Sequence, residues 1–165
     1  DTVKSVGHAT TFPANTRDPD VLKAYVMFLS EKVAARARRY RLAGREVVLT
    51  VRDADFKTRT HHRALGEAIF TDDAIFAAAV GLLTEKERLE KPVRLVGVCL
   101  ARLEPDGGQP SLFKESERPR KLAETLDRLN ARYGKGTVGR ARSALAKKHG
   151  VLSPPVPPAL RAADD

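Results

Sequence analysis

The stretch "LAGREVVLTVRDADFKTRTHHRAL", residues 42–65, contains two strand patterns separated by a turn. In its first half, Val47, Leu49 and Val51 alternate with residues of another face, which is the period-two pattern of a half-buried β-strand. The segment "ADFK" then makes a turn, and residues 58–70 read as a returning strand. The stretch therefore predicts an antiparallel hairpin.

A helix is predicted on each side of this hairpin. Before it, Asp18-Pro19 supplies an N-cap followed by proline at the first helical position, and a long apolar stripe leads to an expected end at Gly44. After it, Thr71 caps a second helix that precedes Pro92. The first stripe comprises Leu22, Val26, Leu29, Val33, Ala37 and Tyr40, and the second Ile75, Ala79, Leu82, Lys86 and Leu89.

Two further strand patterns lie outside the helices, at residues 3–12 and 93–103. The predicted order is β-α-β-β-α-β, an α+β fold with a four-stranded sheet and two helices on one face, resembling the ferredoxin-like arrangement. A helical C-terminal extension follows, with a helix over about 119–133 and a weaker one over 138–149. Residues 151–165 are proline-rich, and we expect them to be disordered.

The composition favours one domain that binds a polyanion. The 165 residues include 30 Lys+Arg against 21 Asp+Glu, a net charge of +9. Nucleic acid is the usual partner of such a surface, and the alternative is a surface that is only generically basic.

The remaining composition is in keeping with a reducing cytoplasm. The single cysteine, Cys99, lies in an apolar run and is expected to be a buried, inert thiol. No segment has the pattern of a membrane span or a signal peptide. Because the chain begins at Asp1 and its one methionine is Met27, we expect it to be a piece of a longer protein.

Motifs for catalysis and metal binding fail on inspection. "GKGTVG" (134–139) follows a charged helix rather than a strand, so it indicates a helix end and linker and not a phosphate loop. His61 and His62 are strand neighbours that point to opposite faces, with no further ligand cluster. No Ser-His-acid arrangement and no carboxylate pair for two magnesium ions stands out. We expect no catalytic residue, metal site or small-molecule cofactor in this piece.

The hairpin carries a basic surface instead. Alternation places Arg59, His61 and Arg63 on one face together with Leu65, while the preceding strand and turn bring Arg52 and Lys57–Thr58. A sheet face without helices over it, edged by such residues, can lie along a phosphate backbone. A solvated face with scattered ion pairs is the alternative.

One apolar pair has no local partner. In "GGQPSLFKESE" (107–117), Leu112-Phe113 is flanked by polar residues and belongs to no predicted element. The sequence around the pair does not show which apolar surface would bury it.

These segments together resemble a known family. "KSVGHATTFP", the hairpin stretch and "PVRLVGVCLARL" resemble the little finger domain of Y-family translesion DNA polymerases, of the DNA polymerase IV (DinB) branch and the ImpB/MucB/SamB group. The resemblance covers residues 3–113, and "LDRLNARYGKGTV" resembles the tail of some bacterial members. It implies the same β-α-β-β-α-β fold.

The resemblance also implies a DNA-binding surface that grips the template–primer backbone without strong sequence preference. The usual Thr-x-Thr-Arg-Ser pattern of the hairpin is here Thr58-Arg59-Thr60-His61-His62. By position, the implied DNA-binding residues are Arg52, Lys57, Thr58, Arg59, Thr60, His61 and Arg63.

"QPSLF" resembles the motif that binds the bacterial sliding clamp, the beta subunit of polymerase III. Leu112 and Phe113 would fill an apolar pocket, Gln109 would hydrogen-bond at its rim, and Ser111 would satisfy the peptide turn. Pro110 stands where leucine is frequent. The alternative is that the pair folds back on the third helix.

The expected organisation is therefore a DNA-binding little finger over 1–104, a linker with the clamp-binding motif over 105–117, a helical extension over 118–150 and a tail over 151–165. The parent protein would be an error-prone polymerase of translesion synthesis, DNA repair and mutagenesis, located in the bacterial cytoplasm at the nucleoid, with Mg²⁺ in a palm that this piece lacks. A polymerase-like mutagenesis adaptor without catalysis is the alternative. A third class, an unrelated RNA-binding α+β domain, would leave "QPSLF" unexplained.

Overall fold

The elements follow one another in the predicted order. The structure, a computed structural model, describes residues 3–106, 117–134, 139 and 141–146. Within them lie β1 (Ser5–Thr16), α1 (Pro19–Arg39), β2 (Leu42–Asp53), β3 (Thr58–Ile69), α2 (Asp72–Lys86), β4 (Val93–Pro105), α3 (Glu117–Tyr133) and α4 (Ala141–Ala146). The α+β class and the β-α-β-β-α-β order are confirmed.

The four strands form one antiparallel sheet in the order β1-β4-β2-β3. The central strand β4 pairs with β1 through Ser5 and Ala101, and with β2 through Val47 and Leu100. The strand β3 forms the outer edge beside β2. The hairpin of the sequence analysis thus lies at one side of the sheet.

Both predicted N-caps are present. The Asp18 carboxylate accepts a hydrogen bond from the Asp20 N–H at 2.9 Å, and the Thr71 hydroxyl accepts one from the Ala74 N–H at 3.3 Å. These side chains satisfy amide donors that the first helical turn leaves without partners.

The predicted end of α1 at Gly44 is wrong. Tyr40 is the C-cap, and Arg41 reverses the chain with a left-handed φ of 52°. Gly44 lies inside β2, where an added Cβ would come within 2.4 Å of Leu100 Cγ, so this glycine permits close approach of two strands. Similarly, α2 ends at Lys86, before Leu89.

The core lies between α1, α2 and one face of the sheet. The β2 side chains Val47, Leu49 and Val51 are fully buried there, as their alternation predicts. Most of each predicted stripe joins the same cluster, for example Leu29 of α1 and Leu82 of α2. The last stripe position of α1, Tyr40, and Lys86 of α2 are exposed, so their assignment to the core is wrong. We call the opposite side of the sheet the open face.

A buried arginine connects α3 to this core. Arg38 of α1 is 8% exposed, and its guanidinium donates to Asp127 of α3 at 2.7 Å and to Asp72 of α2 at 2.9 Å. Burial alone lowers the pKa of Arg38, but the hydrogen bonds and charges of the two carboxylates outweigh it, so the net shift is upward. The arginine thus stays charged and holds three helices together.

The extension is helical, as predicted. The structure has α3 where 119–133 was expected, and α4 lies within the range 138–149 expected for the second helix. Ser143 of α4 hydrogen-bonds Glu31 of α1 at 3.1 Å. The "QPSLF" motif and the tail over 151–165 lie outside the described residues. Among the helices that the structure describes, none has the length and apolar character of a membrane span.

Candidate nucleic-acid interface

The register of the hairpin divides its polar residues between two sides of the sheet. Directly paired residues of neighbouring strands point to the same side. Arg59, His61 and Arg63 pair with the buried residues Val51, Leu49 and Val47, so they lie on the helix side. Thr58, Thr60 and His62 pair with Arg52, Thr50 and Val48 on the open face.

On the helix side, Arg59 is held between two buried carboxylates. Its guanidinium donates to Asp53 at 2.6 and 2.8 Å, and to Glu87 at 2.7, 3.0 and 3.2 Å. The side chains of Asp53 and Glu87 are 4% and 2% exposed, against 33% for Arg59. Because Glu87 is the C-cap of α2, this arginine ties the edge strand to the end of a helix.

This network shifts the protonation of its members. Hydrogen bonds from Arg59 hold the pKa of Asp53 below its usual value. For Glu87, burial acts to raise the pKa, but hydrogen bonds from Arg59 and His61 outweigh it and the net shift is downward. Hydrogen bonds to Asp53 and then to Glu87 raise the pKa of Arg59. All three groups are therefore charged at neutral pH.

His61 and Arg63 also face α2. His61 Nε2 lies 2.6 Å from a Glu87 oxygen, and Arg63 donates to Glu85 at 2.5 Å. A Cβ added to Gly81 would come within 2.4 Å of the Arg63 guanidinium, which shows that this side chain crosses the helix surface. The expectation that Arg59, His61 and Arg63 belong to the side without helices is thus corrected, while their DNA contact stays a prediction.

The other four predicted residues belong to the open face. Three lie on it near the β2–β3 edge, and the fourth, Lys57, lies in the turn between these strands. Arg52 donates to the Thr58 hydroxyl at 2.8 Å, which fixes a guanidinium and a hydroxyl side by side. Thr60 is exposed on the same face, and Lys57 is exposed at the turn that joins the two strands. The structure brings these four residues together at the β2–β3 edge.

The rest of the open face is lined by small side chains. Gly7 and Ala9 of β1 face Cys99 and Gly97 of β4 in register. A Cβ added at Gly97 would lie only 3.1 Å from the Ala9 Cβ, so glycine suits this close approach of the two strands. This flat surface lets an elongated ligand approach the strands closely.

Cys99 lies on this face, and its expected full burial is wrong. The thiol is half-buried, because β4 presents it to the side that none of the described helices covers. The partial burial raises the pKa of the Cys99 thiol. The apolar run around Cys99 alternates between two faces, and only its other face reaches the core.

Two more residues of the open face are not among the seven predicted DNA-binding residues: His62, which the sequence offers only as a less certain contact, and Arg102, which it does not indicate. His62 is 58% exposed with its Nδ1 at 3.5 Å from Glu46, and Arg102 is 67% exposed with its Nε at 3.6 Å from the same carboxylate. The side of His62 follows once β3 is placed in register with β2, where His62 pairs with Val48, and the sequence alone does not give that register. Arg102 could not be found in this way, since its left-handed φ of 50° interrupts the alternation of β4.

The described residues contain no group of three or more His, Cys, Asp or Glu side chains placed to hold a metal ion. His61 and His62 point to opposite sides of the sheet, as their strand positions predict.

The comparisons with known proteins agree with this arrangement. Residues 3–112 match the impB/mucB/samB family C-terminal domain. The chain belongs to this family. The chain is 37% identical over 142 residues to DNA polymerase IV of Pelotomaculum thermopropionicum, covering 86% of the chain and 35% of that protein. It is 38% identical over 150 residues to DNA polymerase IV 1 of Mesorhizobium japonicum, covering 86% and 34%. The chain thus spans about a third of the length of these relatives.

Solved structures share the little finger fold. One is a complex of beta-clamp processivity factor and little finger domain of PolIV, with a TM-score of 0.52 and 18% identity, covering 67% of this chain and 98% of that one. Another is a post-insertion binary complex of Dbh DNA polymerase, with a TM-score of 0.53 and 21% identity, covering 61% and 29%. The resemblance to little finger domains of Y-family polymerases is confirmed.

Proposed function

We propose that this little finger holds template–primer DNA on its open face and connects a translesion polymerase to the sliding clamp through "QPSLF". The observation that carries the DNA proposal is the open face itself. Over β1 and β4 it presents small side chains, and along β2 and β3 it is bordered by Arg52, Lys57, Thr58 and Thr60.

This arrangement suits the backbone of a duplex. Arg52 and Lys57 supply charge to phosphates, and the threonine hydroxyls supply neutral hydrogen bonds. Small residues such as Gly7 and Ala9 allow the duplex to approach the sheet. Backbone contacts of this kind carry no direct base readout, so affinity varies little with DNA sequence.

The proposal divides the seven predicted residues by role. Arg52, Lys57, Thr58 and Thr60 contact DNA, exposed Arg102 adds charge to the same face, and exposed His62 adds a ring that can hydrogen-bond. Arg59, His61 and Arg63 are already engaged with Glu85, Glu87 and Asp53 on the helix side. They therefore hold the edge strand in place. Any phosphate contact that they make is at the outer edge of β3, not on the open face.

The salt dependence of DNA binding tests this division. Each lost phosphate contact lowers the slope of log affinity against log salt by about 0.9, so Arg52→Ala/Lys57→Ala should lower it by about 2. Lys23→Ala/Arg39→Ala removes the same charge from α1, on the helix side, and should leave the slope nearly unchanged. Equal slopes for the two double variants would show that the open face does not bind the DNA.

The clamp proposal rests on the motif and on a relative. The solved PolIV little finger that shares this fold is a complex with a beta-clamp processivity factor. In this chain, Leu112 and Phe113 would supply two apolar anchors for a clamp pocket, which is how short motifs concentrate binding energy. Clamp tethering would raise the effective concentration of the polymerase at the primer end.

Binding of the chain to a bacterial sliding clamp tests the motif directly. Leu112→Ala/Phe113→Ala should abolish binding at micromolar concentrations, whereas the neighbouring Lys114→Ala/Glu115→Ala should retain it. Equal binding by the two double variants would show that the motif is not the anchor.

For the whole protein, we propose an error-prone DNA polymerase that copies damaged DNA in the bacterial cytoplasm. The support is that the curated relatives are named DNA polymerase IV. Their remaining two thirds would contain the palm with its Mg²⁺. Primer extension by the full-length protein across a damaged template base, with and without Mg²⁺, tests the proposal.

A further inference from the structure

The tip of the β2–β3 hairpin exposes an aromatic ring. Phe56 is 64% exposed, more than any other large apolar side chain of the described residues. Its φ of 65° is left-handed, a conformation that bulky residues rarely adopt. Exposure and strain are both unfavourable, and together they point to a role for the ring at this position.

The turn that presents the ring is held firmly. Two backbone hydrogen bonds of 3.0 Å close it within residues 53–57, and the Ala54 N–H donates to the Pro92 carbonyl at 2.9 Å. The Lys91 ammonium donates to the Asp55 carboxylate at 2.5 Å. The left-handed conformation is thus imposed by several contacts around it.

Cationic side chains surround the ring. The Arg94 guanidinium lies over it, 4.7 Å from the ring centroid. Lys57 is the next residue in the chain after Phe56, and Arg52 lies in β2 just before the turn. A ring with this much charge beside it suits a polyanion better than an apolar protein surface.

We propose that Phe56 stacks on an unpaired base of the template strand where that strand leaves the duplex, with Arg94 and Lys57 on the adjoining phosphates. This inference rests on the proposed DNA binding. The tip lies beyond the last hairpin pair, Arg52 and Thr58, and therefore past the surface assigned to duplex. In the interior of a duplex both faces of every base are covered, so away from a duplex end a ring can stack only on an unpaired base.

Two DNA probes separate this contact from duplex binding: a blunt duplex, and the same duplex with a single-stranded thymidine overhang. Phe56→Asn removes the ring while tolerating the left-handed backbone. In the full chain it should weaken binding of the overhang DNA by about tenfold, as for one lost base stack, and leave the blunt duplex unchanged. Phe56→Tyr should restore the affinity.

Tyr40→Asn is the matched control, because Tyr40 is 55% exposed and lies at the opposite end of β2. It should change neither affinity. Equal losses on both DNAs for Phe56→Asn, or no loss on either, would overturn the stacking contact while DNA binding by the parent chain still supports the proposed function. No binding of either DNA by the parent chain would refute both.

Fluorescence gives an independent readout. The chain has no tryptophan, so Phe56→Trp introduces a single indole. Its emission should be quenched by the overhang DNA through stacking and much less by the blunt duplex. Equal emission in the two complexes would contradict the inference.

Discussion

At the residue scale, Glu87 is the buried centre of the edge-strand network. It accepts hydrogen bonds from Arg59 at 2.7 Å and contacts His61 at 2.6 Å while only 2% exposed. Such a carboxylate is stable only with its partners present, because an uncompensated buried charge is costly. The network makes the position of β3 depend on the end of α2.

This network predicts a pH dependence of stability. The pKa values of Asp53 and Glu87 are lowered from 3.8 and 4.5 on folding, so their stabilisation is complete above those values and is lost as the pH falls through the folded ones. Glu87→Gln should lower the free energy of unfolding by about 2–3 kcal/mol at pH 7. Its further loss of stability between about pH 5 and pH 2 should be smaller than that of the parent.

Urea unfolding at several pH values measures both effects. Glu85→Gln is the control, since Glu85 is 57% exposed and pairs with Arg63 at the surface. It should change stability by less than about 1 kcal/mol. Parallel pH profiles for Glu87→Gln and the parent would contradict the prediction.

The sequence identified the basic residues of the hairpin but not their partners. In the sequence Arg59 looks free to bind phosphate, because its partner Glu87 is 28 residues away. The two come together only because α2 ends next to β3. Alternation does assign Arg59, His61 and Leu65 to one face. Recognising that face as the helix side requires the register with β2, which the spacing of one strand does not give.

At the element scale, the close contact of β2 with β4 depends on Gly44. Its added Cβ would meet Leu100 Cγ at 2.4 Å, Leu100 Cδ1 at 2.7 Å and the Ala101 carbonyl at 2.8 Å. Leu100 is fully buried and the carbonyl belongs to the backbone, so neither moves easily. The two central strands therefore require glycine at this position.

Gly44→Ala should accordingly lower the free energy of unfolding by about 1–3 kcal/mol, through strain in the central strands. Gly66→Ala is the matched control, because an added Cβ there meets nothing within 4 Å. That change should be neutral or stabilising by about 0.5 kcal/mol. Chemical denaturation of both variants decides, and equal stabilities would contradict the prediction.

Local signals located the elements well and some of their ends poorly. The starts of α1 and α2 follow from the side chains of Asp18 and Thr71, whose capping chemistry is local. The end of α1 is set by a non-glycine residue, Arg41, in a left-handed conformation. A glycine three residues later is a stronger sequence signal, and here it serves strand packing.

At the scale of the whole molecule, the strand order decides which surface exists. Periodicity predicts four strands, but only the pairing of β4 with both β1 and β2 creates one continuous open face. The same holds for α3, whose sequence predicts a helix while its attachment depends on Arg38, 89 residues from Asp127. Contacts between distant parts of the chain leave no periodic signal in the sequence.

The position of Cys99 gives this surface a chemical label of its own. The chain has one cysteine, and its thiol is half-buried across from Gly7 in the middle of the open face. Any molecule that covers the sheet also shields this sulfur from alkylating reagents, whereas a partner that grips only the C-terminal motif leaves it accessible. The rate of thiol modification therefore distinguishes occupancy of the sheet from tethering through "QPSLF", without a label on the DNA or the clamp.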